Sequence, residues 1–260
     1  MNKLDLKFPS SWSDLSVRQL KYVFKLLAGN FSMEEIKLFC LFRWNDISVL
    51  ARNGAGSYLV SYENPGDNRK SIYVISPVQI AEIFPFLGWL DEMPKMPVRI
   101  EKIGFLKALP ADFDGVALKK FIMADNLYQG CISVFNDPDS VGKLEELMEM
   151  LFSVLYSTRL PFQAFKIKKW MKVAAFYWFS GLKNLLSTRF PDFFHPAISD
   201  SGNAEKPDQV EIMNTMIRAL TKGDITKEKE VLAMDTWRAL AELNAQAKDY
   251  AEMNRKFNKH

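Results

Sequence analysis

The chain has 260 residues, 48% of them hydrophobic and 25% charged, with a net charge of +3. That composition excludes a wholly disordered chain, which lacks the apolar surface to offset its ordering entropy, and the length suits one large domain or two small ones. The net charge is too small to mark a nucleic-acid binder by itself.

Leu4, Leu6 and Phe8 alternate with polar neighbours and predict a short strand ended by Pro9. Ser16 with Gln19, and Ser32 with Glu35, have the spacing of capping boxes and open two helices. Gly29-Asn30 stops the first by accepting a left-handed backbone. Val17, Leu20, Val23, Phe24 and Leu27 form one apolar face, and Ile36, Phe39, Cys40 and residues 42–44 continue it, so the pair reads as a helical hairpin. Residues 57–63 and 71–75 are β-rich runs around Asn64-Pro65-Gly66-Asp67 and predict a β-hairpin. Ser76-Pro77 then starts a helix running to about Trp89.

Pro94 and Pro97 mark a boundary, after which residues 98–100 can add one more strand. Helices are predicted over 117–134, 142–155 and 162–190, the last aromatic, with Gly181 a candidate kink and Pro191 its end. Residues 196–210 are polar and read as a linker. Beyond it, 211–221 forms a short helix stopped at Gly223, and Thr226 caps a final helix that runs close to the end. The expected fold is mainly α, of the α+β class. It comprises an N-terminal region of helical and β-hairpins (1–97), a central helical region (98–195), the linker (196–210) and a C-terminal helical pair (211–260).

No export signal is visible in residues 1–8. The uncharged aromatic run 173–182 would rise only about 15 Å as a helix, half a bilayer's hydrocarbon core, so no membrane association is expected. Two cysteines, Cys40 and Cys131, make no disulfide framework and suit a reducing cytoplasm.

Catalytic chemistry finds no anchor. The two histidines, His195 and His260, sit beside a proline and at the last position, outside any triad or metal-ligand spacing. Asn53-Gly54-Ala55-Gly56 lacks the further glycine and lysine of a phosphate loop. Asp112-Phe113-Asp114-Gly115 offers two carboxylates without companion ligands, a pair that can equally precede the next helix as its cap region. Asp137, Asp139 and Gly142 open an EF-hand-like pattern, but Val141 and Met148 fall where the fifth and twelfth ligands belong. The expectation is a non-enzyme with no metal and no cofactor.

Two surfaces stand out. Lys166, Lys168, Lys169 and Lys172 lie near Trp170 in a stretch, 151–191, that has no acid, whereas 137–150 is acidic. Either the two stretches pack antiparallel and neutralise each other, or the lysines face a nucleic acid or an acidic partner. In the final helix, Leu240, Leu243, Ala247, Tyr250, Asn254 and Phe257 step by threes and fours, the rhythm of a helix seam, and Trp237 and Met253 widen it. This ridge either folds back on its own domain or binds a partner. The candidate partner-binding residues are Trp237, Leu240, Leu243, Tyr250, Met253 and Phe257.

The C-terminal stretch MIRALTKGDITKEKEVLAMDTWRALAELNAQAKDYAEMNRKF resembles proteins of phage and prophage tail modules of Bacteroides-type bacteria, as do LDLKFPSSWSDLSVRQLKYVFKLLAG and FIMADNLYQGCI. The resemblance implies a tail-assembly chaperone that shields the helices of a tape-measure protein in the host cytoplasm, without catalytic residues. The length and the predicted β-hairpin depart from that family, whose members are often shorter and helical. A nucleic-acid-associated protein using the lysine face and a self-associating virion component are the alternatives.

Overall fold

Serine-led helix starts frame the N-terminal part of the computed structural model, which describes residues 6–63, 70–157, 166–194 and 209–257. In α1 (Val17–Leu27) and α2 (Met33–Trp44) both capping boxes close: the Ser16 amide donates to Gln19 Oε1 at 2.9 Å and the Ser32 amide to Glu35 Oε2 at 2.8 Å. Each bond satisfies a backbone group that a helix end leaves orphaned. Ser76 does the same for α3 (Pro77–Ile83). That helix does not reach Trp89 as α-helix. Pro85 lacks the amide the ladder needs, and the chain tightens into a 3-10 helix over Phe84–Asp91.

The predicted hairpin is present as β2 (Tyr58–Glu63) and β3 (Lys70–Ile75), antiparallel from Tyr58↔Ile75 to Glu63↔Lys70; its turn lies outside the described residues. A strand not foreseen, β1 (Ser48–Arg52), pairs with β2 and makes a three-stranded sheet of order β1-β2-β3, with a bulge between Val49 and Ala51. Residues 6–9 form no strand. Phe8 stacks on Phe86 at 6.2 Å, and Pro9 O accepts the Trp89 indole N–H at 3.1 Å, so ring contacts hold this segment in place of a ladder. Val60, Tyr62 and Ile75 turn to the core with Trp12, Phe24 and Leu41. These elements belong to one of the chain's two units, Met1–Met93.

The second unit, Pro94–His260, is described by itself. Residues 98–100 add no strand. A hairpin of β4 (Lys102–Ile103) and β5 (Leu106–Ala108) forms instead, joined by β6 (Tyr156–Ser157) in a second small sheet. Tyr156 is buried and its hydroxyl donates to Ile100 O at 2.8 Å. Three long helices pack on one another: α4 (Leu118–Val134), α5 (Val141–Leu155) and α6 (Lys169–Arg189), and the Tyr156 ring meets Phe152 of α5 and Trp178 of α6. The short α7 (Pro191–Phe194) follows. The linker 196–210 lies outside the described residues except for Gln209 and Val210, which open α8 (Gln209–Thr221).

The single final helix of the expectation is two. Asp224, rather than Thr226, caps a 3-10 turn (Ile225–Lys227) leading into α9 (Glu228–Ala233); the chain then extends at Met234 and restarts as α10 (Thr236–Phe257). The pair 211–260 is not a detached extension, because α10 packs on α7, α8 and α4 within this unit. The fold is mainly α, with small sheets.

Gly181, the candidate kink, lies inside the single helix α6 at a close packing position. A Cβ there would run into the carbonyl of Met96 and lie 3.0 Å from the Pro97 Cα. Only glycine lets α6 and the 96–97 backbone approach this closely. Gly181→Ala is expected to cost about 1–3 kcal/mol by overpacking, while Gly142→Ala, where a Cβ meets nothing within 4 Å, gains up to about 1 kcal/mol of helix propensity. Paired chemical denaturation curves check both signs.

Candidate functional site

The start of α10 is held by a turn more than a hundred residues upstream. Residues 111–117 present carbonyls to α6 and α10 and an amide to the start of α10. Ala111 O accepts the Trp178 indole N–H at 2.8 Å, and Asp112 O accepts that of Trp237 at 2.7 Å. Val116 O accepts both the amide and the hydroxyl of Thr236, at 2.9 and 2.7 Å. Asp235 Oδ2 accepts the Gly115 amide at 2.9 Å, and Asp235 Oδ1 accepts the Arg238 amide at 3.0 Å, so this one carboxylate grips the turn and caps α10. In return, the first amide of α4, on Leu118, donates to Met234 O at 2.8 Å. The mutual bonds explain why the helix breaks at Met234: its carbonyl is spent on the first amide of α4.

Phe113 gives the turn its shape. Its φ is +64°, a left-handed value that costs a non-glycine residue about 1–2 kcal/mol. The ring offsets that cost by complete burial, with Phe179 at 6.1 Å and Phe121 and Trp178 each at 6.4 Å. Asp112 and Asp114 do not supply the α4 N-cap, which is Ala117; Asp112 Oδ1 instead accepts the Asp114 amide at 3.2 Å.

The sequence-predicted ridge divides here. Leu240 and Leu243 are buried within their own unit, and Trp237 is half-buried with its ring 5.5 Å from that of Phe190. Asn244 Oδ1 accepts the Phe193 amide at 3.1 Å, tying α10 to α7. This burial takes Leu240 and Leu243 off the expected partner-binding face, while Trp237 keeps part of its surface exposed. From Lys248 onward nothing described covers the helix: Tyr250 is 65% exposed and Met253 53%, among exposed Lys248, Asp249, Glu252, Asn254, Arg255 and Lys256. The side chain of Phe257 lies outside the described residues.

The lysine stretch divides similarly. Lys169 Nζ pairs with Glu145 at 2.9 Å and Lys172 Nζ with Glu149 at 2.6 Å, while Lys183 pairs with Asp125 at 2.8 Å. The partners advance in step, 145 with 169 and 149 with 172, so α5 and α6 run in the same direction rather than antiparallel. Lys168, Lys169 and Lys172 crowd the N-terminus of α6, where the helix dipole disfavours cations, and the α5 carboxylates compensate. Lys166 and Lys168 remain exposed, but Trp170 is buried and offers no face for a base to stack on.

Among the described residues no three His, Cys, Asp or Glu side chains cluster as metal ligands, and no helix is long and apolar enough to cross a membrane. Both cysteines are buried, and burial pushes their thiols up, Cys40 to about 12 and Cys131 to about 11, far from the thiolate a nucleophile needs. His195 and His260 lie outside the described residues. An open recess of about 370 Å³ beside α8 is lined by Asn214, Arg218, Thr221 and Glu228 among others. Comparison with protein-family models, with curated proteins and with solved structures found no match.

Trp237→Phe removes the N–H to Asp112 O together with part of the indole's bulk, and is expected to cost about 1–3 kcal/mol in urea unfolding. Lys172→Met should cost on the order of 1 kcal/mol, since this lysine is 11% exposed while its partner Glu149 is 48% exposed; Lys168→Ala should be silent in the same assay.

Proposed function

We propose that this chain is a non-enzymatic binding protein whose contact element is the outer part of α10, and that its partner presents a helix. The observation that carries the reading is the exposure of Tyr250 and Met253 on one helix face, on a stretch that no described element covers. Residues 250 and 253 are three apart and share that face, and in the sequence 257 continues the step of three and four, the arrangement by which an amphipathic helix meets another. A tyrosine supplies large contact area at low entropic cost, and a methionine adapts to irregular neighbours. The surrounding charges are of both signs, Lys248, Arg255 and Lys256 against Asp249 and Glu252, and would set orientation more than affinity.

In its most specific form, taken from the resemblance to tail-assembly chaperones, the client is the long helical tape-measure protein, kept soluble in the host cytoplasm until tube subunits replace the chaperone. The nucleic-acid alternative has less support, because Lys169 and Lys172 are neutralised by α5 and Trp170 is buried.

Co-expression with a helical tail protein tests the reading. The unaltered chain is expected to co-purify with the client at moderate salt, and the double variant Tyr250→Glu, Met253→Glu to lose at least tenfold in affinity, about 1.4 kcal/mol. Because both positions are exposed, its stability should stay within about 0.5 kcal/mol. Absence of any helical client, or undiminished capture by the double variant, would sink the proposal.

A further inference from the structure

The charges of the outer α10 stand in an order that is its own complement. Asp249 and Lys256 are seven residues apart, about two turns, so they lie on the same flank of the helix. That flank borders the face shared by Tyr250 and Met253, while the opposite flank carries the uncharged Ala247 and Asn254. Among the described residues neither Asp249 nor Lys256 has an ion partner, although Glu252 stands four residues before Lys256 and the spacing would allow a pair along the helix. The lysines of α6, by contrast, find carboxylates on neighbouring helices.

Two ways of laying a second helix on this face treat those charges differently. In a parallel pair of copies opposite flanks meet, and Asp249 and Lys256 would face Ala247 and Asn254. In an antiparallel pair related by a two-fold axis, like flanks meet in reversed order. An axis near Glu252 brings Asp249 of each copy within about one residue's rise, roughly 1.5 Å, of the level of Lys256 of the other. The same axis brings Tyr250 of each equally close to the level of Met253 of the other. The contact is isologous, so each ion pair and each apolar contact forms twice. A fitting partner must carry an acid and, seven residues on, a base along one flank of an apolar face. A second copy of this chain carries both.

We infer that the outer α10 pairs antiparallel with the outer α10 of a second copy, and that this pairing occupies the contact face while no client is bound. The inference rests on the reading of that face as the contact element and adds a regulation to it: a client helix gains the face by displacing the copy. The seam is short. Residues 248–257 rise only about 15 Å, which covers far less than the roughly 1,200–2,000 Å² of a stable interface, so self-association in the range of about 10 μM to 1 mM is expected. In dilute solution the outer helix is bare, and a client of higher affinity meets no strong competitor.

Sedimentation equilibrium on the full chain over that concentration range provides the test. Asp249→Lys alone and Lys256→Glu alone each turn both ion pairs into repulsions, and each should weaken self-association about tenfold. Both side chains are exposed, so circular dichroism should report an unchanged fold. An equimolar mixture of the two variants should regain the affinity of the unaltered chain, because each copy then offers the charge that the other lacks; parallel pairing does not produce that recovery. A chain monomeric up to about 1 mM, a dimer indifferent to both substitutions, or a mixture no tighter than either variant alone would overturn the inference. A monomeric chain that still captures a helical client overturns it while leaving the proposed function standing, and a self-associating chain that captures none does the reverse.

Discussion

The C-terminal unit depends on one buried turn. Between Ala111 and Ala117 the backbone gives carbonyls to Trp178, Trp237 and Thr236 and an amide to Asp235, around a phenylalanine held left-handed. A buried main-chain group left unpaired costs about 1–3 kcal/mol, so removing any one donor also penalises the acceptor it served. Phe113 can persist at positive φ because Phe121, Trp178 and Phe179 surround its ring. The turn therefore joins α4, α6 and α10 through polar bonds set inside an aromatic core.

That junction determines which part of the C-terminal ridge remains free. The bonds to Asp235, Thr236 and Trp237 fix the direction in which α10 leaves the turn, and Asn244 holds it to α7. Leu240 and Leu243 are then buried, while Tyr250 and Met253, two turns or more further on, stay exposed. Anchored at one end, the outer helix needs little ordering on binding, and that lowers the entropic cost of association. A similar economy governs the cations of α6, three of which find carboxylates on α4 and α5 within their own unit.

What the sequence made legible was local. The capping boxes at Ser16 and Ser32 and the proline start at Ser76 are closed by residues three apart, and each is present. β2 and β3 were readable from β-branched and aromatic runs flanking a turn cluster. β1 was not, because five residues between two stronger signals carry too little alternation to stand out. The break at Met234 was hidden for a different reason. Residues 228–243 keep a helical apolar rhythm throughout, and only the α4 amide and Val116 O, both distant in sequence, withdraw Met234–Thr236 from it. The same distance concealed the burial of Leu240 and Leu243: periodicity identifies an apolar face but not what lies against it. Gly181 was readable as special but not as a site of backbone approach, since the Met96 carbonyl that requires it is 85 residues away.

The central claim is that α10 is anchored in its first half and free in its second. Amide hydrogen exchange resolved along this helix tests it most directly, because protection follows the local cost of opening. The isolated chain should show strong protection over Leu240–Asn244 and a steep fall beyond Lys248, with the outer amides protected only when a partner is added. Uniform protection from Thr236 to Lys256 in the isolated chain would contradict the account, since it would mean the outer helix is already covered.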